Sequence, residues 1–140
     1  MSRLPMLLAA AWWTSLSTIG FLVVPMLFFY LPTPALAGTM AARLFTAQTW
    51  VSVVCALLLL MFFRSKSLHK AMPAAQAAMI FVVAGMLLAL LLEFAVGPHI
   101  VAREELRFWH TVGTALYVLQ WLCAGAAIWA LGRHGSTDQV

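Results

Sequence analysis

Charge is what this sequence has least of. Lys and Arg number 8 and Asp and Glu 4, together 9% of 140 residues, against about 25% in an ordinary soluble domain. That shortage excludes a soluble globular enzyme, and a 64% hydrophobic content excludes a disordered chain. The net charge of +4 comes without a basic stripe, so it reads as flank chemistry of helices in lipid and not as a nucleic-acid footprint. Cysteine is almost as scarce. Cys55 and Cys123 form no CxxC, CxxCH or zinc spacing. Each stands about eight residues, or roughly 12 Å, from the same end of its helix, where a thiol packs as a small hydrophobe. A catalytic set is missing too: there is no Ser-His-Asp arrangement, no glycine-rich phosphate loop and no HExxH. The adjacent Glu104 and Glu105 would point about 100° apart on a helix and meet water, Arg103 or Arg107.

What the chain does have is long apolar runs. Residues 4–30, 44–63, 74–96 and 108–131 hold no Lys, Arg or Asp, and only the third holds a carboxylate, Glu93. A membrane-spanning helix needs about 20 such residues. Their length and continuous apolarity, without two-residue alternation, disfavour a β-barrel. The expected fold is an all-α, integral membrane four-helix bundle forming one domain, 1–140, with helices at about 4–30, 35–63, 74–96 and 108–131. Thr33 caps the second helix with Pro34 at its first position, so that helix starts before its apolar run. Pro73 opens the third helix, Gly97-Pro98 closes it, and Gly132 and Gly135 close the fourth. Pro25 kinks the first by removing a backbone donor. The stretch from Arg3 to Ala35-Leu36-Ala37 imitates a signal peptide, but its apolar core is about twice the usual 7–15 residues, so it reads as a retained helix.

Topology follows from the basic residues. Arg3, Arg64, Lys66, Lys70 and Arg133 lie on one side, and Arg43, Arg103 and Arg107 on the other. The positive-inside rule places both termini in the cytoplasm, in a bacterial-type inner membrane. Trp109 fits the outer boundary and Trp129 the inner one.

Helical wheels gather small and polar residues on single faces: Ala10, Ala11, Thr14, Ser17, Thr18 and Pro25 on the first helix, Ala75, Ala78, Met86, Ala89 and Glu93 on the third. On the fourth, His110, Gly113, Tyr117, Gln120 and Ala124 do the same. Such faces mark helix–helix contacts in membranes, because close approach and interhelical hydrogen bonds replace the missing hydrophobic drive. Glu93 is therefore expected to point inward and to have a partner. Counting from the helix ends puts Glu93 and His110 within about one turn in depth, which predicts a Glu93–His110 contact with Tyr117 one turn further in. Arg43 is the rival partner, although it sits about 140° from the Gln48, Ser52 and Cys55 face. His69 and His134 read as interfacial residues. His99 and His110, with Met26 and Met40 at a similar level, compose a candidate soft copper site.

The run Gly20-Phe21-Leu22-Val23-Val24-Pro25-Met26-Leu27-Phe28, then Leu31-Pro32, Ala37-Gly38 and Arg43-Leu44-Phe45, resembles the bacterial family of unknown function numbered 4149, similar to the transmembrane-protein-205-like proteins of eukaryotes. Gly97-Pro98 and the Arg-x-x-His of Arg107 to His110 are similar as well. Thr111, Gly113 and Tyr117 depart from that family's fourth-helix pattern. The resemblance implies four helices in a plasma membrane and no reaction. The layout is also similar to copper-resistance D-type proteins and small haem-associated protoporphyrinogen oxidases, by analogy of format alone.

Three functional readings stand. The first is a non-enzymatic accessory or interaction component, with the lipid bilayer and a membrane-protein partner or second copy as its contacts. The second is a haem- or copper-binding protein using the outer-side His and Met residues. The third is a small oligomeric transporter, which would need a polar path across the membrane.

Overall fold

The computed structural model describes residues 3–67 and 73–137, and every regular element among them is helical. Four rods follow one another: α1 (Leu4–Tyr30), α2 (Pro34–Ser67), α3 (residues 73–101) and α4 (Leu106–Thr137). Each contains a stretch long and apolar enough to cross a membrane. In hydrocarbon no water satisfies the backbone, so an apolar chain closes its hydrogen bonds within each helix. Thr33 caps α2 as its sequence position requires, its Oγ1 accepting the Leu36 N–H at 3.2 Å. His69 and Lys70 lie outside the described residues, as do the side chains of Lys66 and His134.

Two rods share one irregularity. Thr18–Val23 in α1 and Leu92–Val96 in α3 are π turns. The Val24 N–H reaches back to the Ile19 carbonyl and the Gly97 N–H to that of Leu92. In both places the next residue is a proline, Pro25 or Pro98. A proline ring clashes with the carbonyl four residues back, and widening the turn by one residue relieves that clash. Gly97-Pro98 therefore does not close the third helix as the sequence suggested. The π turn absorbs the proline and α3 continues to Val101. Four residues then reverse the chain, with Arg103 and Glu105 at positive φ of 57° and 37°.

The rods pack up, down, up and down. The α3–α4 interface is the most extensive, and α1–α2, α2–α3 and α1–α4 complete the ring. Among the described residues no Cα of α1 comes within 8 Å of α3, nor any of α2 within 8 Å of α4. Side chains bridge those diagonals. Ala78 on α3 shares a buried cluster with Ala124, Ala127 and Ala130 on α4, and these residues are small enough for close approach. The space this leaves on the α1 side is filled by Trp12 and Leu16, both fully buried. Trp12 lies against Gly85 of α3, which also approaches Cys123 of α4. Its indole N–H is buried without a hydrogen-bond partner, so the ring is held there by packing alone.

Trp12 also corrects part of one expectation. The small and polar face of the first helix turns inward only in part: Ala10 and Ser17 are half-buried, whereas Ala11, Thr14, Thr18 and Pro25 are exposed, and Ala9, Trp12 and Leu16 form the buried contact face. Met6 approaches Gly132, so the start of α1 and the end of α4 stand together. The exterior of the spans is mostly apolar, with Phe29, Met61 and Ile80 each at least 67% exposed. Large apolar surface of this extent matches lipid and would be untenable in water, and the chain is a multi-pass membrane protein.

Candidate functional site

Near the middle of the spans a layer of amides and hydroxyls joins three rods. Gln48 Nε2 donates to Ser15 Oγ at 2.9 Å, and Gln120 Nε2 donates to Ser52 Oγ at 2.9 Å across the α2–α4 diagonal. Ser52 in turn donates to the Gln48 carbonyl at 2.9 Å, and Ser15 to that of Trp12 at 2.7 Å. Gln48, Ser52 and Gln120 are buried. Each side chain could alternatively face apolar neighbours at the cost of an unmet hydrogen bond, which is why they converge. Beside this layer, Tyr117 Oη donates to the Leu16 carbonyl at 2.8 Å, and Trp121 Nε1 to Ser17 Oγ at 2.8 Å. The Tyr117 ring rests on Gly20, where any side chain would collide with it. Trp13 stacks on Trp121 with ring centroids 5.3 Å apart.

Glu93 lies one level nearer the 102–105 loop, inside the π turn of α3, and is half-buried. Thr46 Oγ1 of α2 stands 2.9 Å from its Oε1 and 3.0 Å from its Oε2. One hydroxyl hydrogen is thus shared by both carboxylate oxygens. The inward-pointing acid has a partner, but the partner is not His110. No hydrogen bond or ion pair joins Glu93 to His110, and none joins it to Arg43, which is exposed one turn from Thr46. Tyr117 donates to α1 instead of toward Glu93.

The first helix explains the displacement of His110. Trp121 and Gly125 pack against Trp13 of α1, and at 100° per residue Arg107, His110, Thr114 and Val118 fall on much the same side of α4. Beyond the π turn, however, Val24–Tyr30 leans onto α2, and none of its Cα atoms lies within 8 Å of α4. His110, Thr114 and Val118 are consequently exposed.

The proposed soft metal set is likewise dispersed in its engagements. His99 Nδ1 is 2.9 Å from Glu104 Oε2, and the His99 ring stacks on Trp109 at 4.1 Å with an interplanar angle of 2°. His110 lines an open groove on α4, and Met26 and Met40 are exposed. Among the described residues no three His, Cys, Asp or Glu side chains gather in a metal-binding group. Cys55 and Cys123 are free thiols, both half-buried.

Sequence reasoning placed Gln48 and Ser52 on one face and Gln120 on another, but it missed Thr46 and Ser15. Their signal is faint: a lone hydroxyl in an apolar helix is common, and only a facing carboxylate or amide gives it a role. A family model described as a domain of unknown function, DUF4149, matches residues 7–108. That is more than half of the chain, and the protein belongs to this family. The matched region takes in Thr46, Gln48, Ser52 and Glu93 and ends before His110, Tyr117 and Gln120. No curated protein and no solved structure matches the chain.

Proposed function

We propose that this chain is a non-enzymatic, multi-pass protein of a bacterial inner membrane that acts as an accessory or interaction component, with both termini cytoplasmic. One observation carries the reading. Thr14 and Thr18 are exposed near the middle of α1, and neither hydroxyl has a hydrogen-bond partner among the described residues. Thr39, Thr111 and Thr114 by contrast donate to carbonyls of their own helices. An unmet hydroxyl in hydrocarbon is costly, and Ala11 beside it permits close approach, so this face suits a neighbouring helix.

The other readings have less support. A transporter needs a continuous polar path, and the layer of Ser15, Gln48, Ser52 and Gln120 gives way toward the termini to Trp12, Ala56, Leu59, Phe63 and Val82, all buried. A haem or copper site built on His99 and His110 would have only Nε2 of His99 as a ligand, its Nδ1 being paired with Glu104, and among the described residues no three His, Cys, Asp or Glu side chains gather to complete a set.

Photocrosslinking side chains introduced at Thr14 and, as control, at Ile80 test the interaction reading in native membranes. A discrete protein adduct from position 14 and none from position 80 is expected; lipid adducts alone at both positions would overturn it. A reporter fused after Val140 tests the topology, where cytoplasmic activity is expected and periplasmic activity refutes the orientation.

A further inference from the structure

We infer that Glu105 and the face of α4 from Leu106 to Leu119 bind one phospholipid whose headgroup carries a primary ammonium beside its phosphate. Two open grooves make up this face. The first is lined by Glu105, Leu106, Arg107, Phe108 and Thr111, the second by His110, Thr111, Thr114, Ala115, Val118 and Leu119. They meet at Thr111 and follow one another along the helix as two shallow, open depressions. From residue 107 to 119 the rise is about 18 Å, close to the roughly 15 Å that is half of a hydrocarbon core. Together the depressions therefore reach from the headgroup level to about the midplane, the depth of one acyl chain.

Their origin lies in the kink of α1. Where Trp13 covers Trp121 and Gly125 the two rods are packed. Past the π turn α1 leans away onto α2, and the same side of α4 is left open. Thr111, Thr114 and Ala115 are short, which deepens it. Both threonine hydroxyls are already donated, to the carbonyls of Arg107 at 2.9 Å and His110 at 2.8 Å. Apart from the His110 ring, the walls of the second groove thus offer no free donor to a partner helix and present methyl groups, which suits an alkyl chain.

The head of the groove selects the charge. Glu105 and Arg107 both line it and are both exposed, and neither side chain has an ion-pair or hydrogen-bond partner among the described residues. Adjacent unpaired charges of opposite sign complement a zwitterion, the guanidinium taking phosphate oxygens and the carboxylate taking an ammonium. A primary ammonium offers N–H donors to Glu105, whereas a trimethylated one has none. This favours phosphatidylethanolamine over phosphatidylcholine, and over an anionic lipid that would meet Glu105 with like charge.

Native mass spectrometry of protein taken from vesicles of equimolar phosphatidylethanolamine, phosphatidylcholine and phosphatidylglycerol tests the site. Phosphatidylethanolamine adducts are expected to exceed each of the others about two- to fivefold, the range of an exposed ion pair. Glu105→Gln should erase that preference while adducts persist, Arg107→Gln should reduce all adducts, and Ala115→Leu should remove them by filling the groove. Unchanged melting temperatures establish that these exposed substitutions leave the fold intact. Soluble glycerophosphoethanolamine should not displace the adducts. Equal retention of the three lipids, preference for phosphatidylglycerol, indifference to Glu105→Gln, or displacement by the soluble headgroup would each overturn the proposal.

Discussion

Trp12 and Gly85 meet across the diagonal of the bundle so closely that a Cβ on Gly85 would stand 2.6 Å from Cη2 of Trp12. Trp12 is fully buried and cannot swing aside. Gly85→Ala should therefore lose about 1–3 kcal/mol to overpacking, more than the roughly 1 kcal/mol that alanine gains in helix propensity. Thermal unfolding in lipid nanodiscs should show the loss, and Trp12→Phe in the same chain should recover part of it. A more stable Gly85→Ala protein would contradict the contact.

The amide layer predicts a non-additive pair. Ser52→Ala leaves the Gln120 amide buried without its acceptor, which should cost about 1–2 kcal/mol. Removing both polar groups with Ser52→Ala and Gln120→Leu should cost clearly less than the sum of the single changes, because no unmet donor remains. Additive losses in a double-mutant cycle would mean that the two side chains act independently.

At Glu93 the order of severity is informative. Thr46→Val keeps the shape of the side chain and deletes the hydroxyl that Glu93 accepts from, so a loss of about 1–2 kcal/mol is expected. Thr46→Ser should be nearly neutral. Glu93→Gln should cost less than Thr46→Val, since an amide oxygen still accepts the same hydrogen. Chemical unfolding of the three variants checks the ranking, and His110→Ala should not alter it.

The loop between α3 and α4 is tied down by the His99–Trp109 stack and the His99–Glu104 pair. Trp109→Leu removes the stack, worth about 0.5–1.5 kcal/mol. Amide hydrogen exchange at residues 99–105 should accelerate about 2- to 10-fold, while residues 48–59 of α2 remain protected. Exchange unchanged at the loop would show that its two left-handed residues, Arg103 and Glu105, hold the turn without help.

The candidate site was legible in composition and only partly in arrangement. Glu93 was identified because a carboxylate inside an apolar run is expensive and must have a partner. The partner was misread because depth counting cannot say which neighbour turns toward it: Thr46 on α2 holds the carboxylate, while His110 on α4 faces outward. The small face of the first helix turns inward only at Ala10 and Ser17, for a related reason. A helix apolar on every side has no hydrophobic contrast to orient it, so the bulk of Trp12 and Leu16 determines which side packs.

The amino-acid sequence by itself determined the four spans, the membrane they require and the proline that distorts the first; that Pro98 widens a turn of the third instead of ending it is seen only in the structure. The first three are consequences of length, apolarity and a missing backbone donor, all local properties of the chain. Only the tertiary structure decided how each rod is rotated, which residues cross the diagonals, and where the first helix leans after Pro25. Packing in lipid is settled by shape and by a few interhelical hydrogen bonds, because every rod is about as apolar as its surroundings. Those contacts exist only when all four rods are present, so no single segment carries their record.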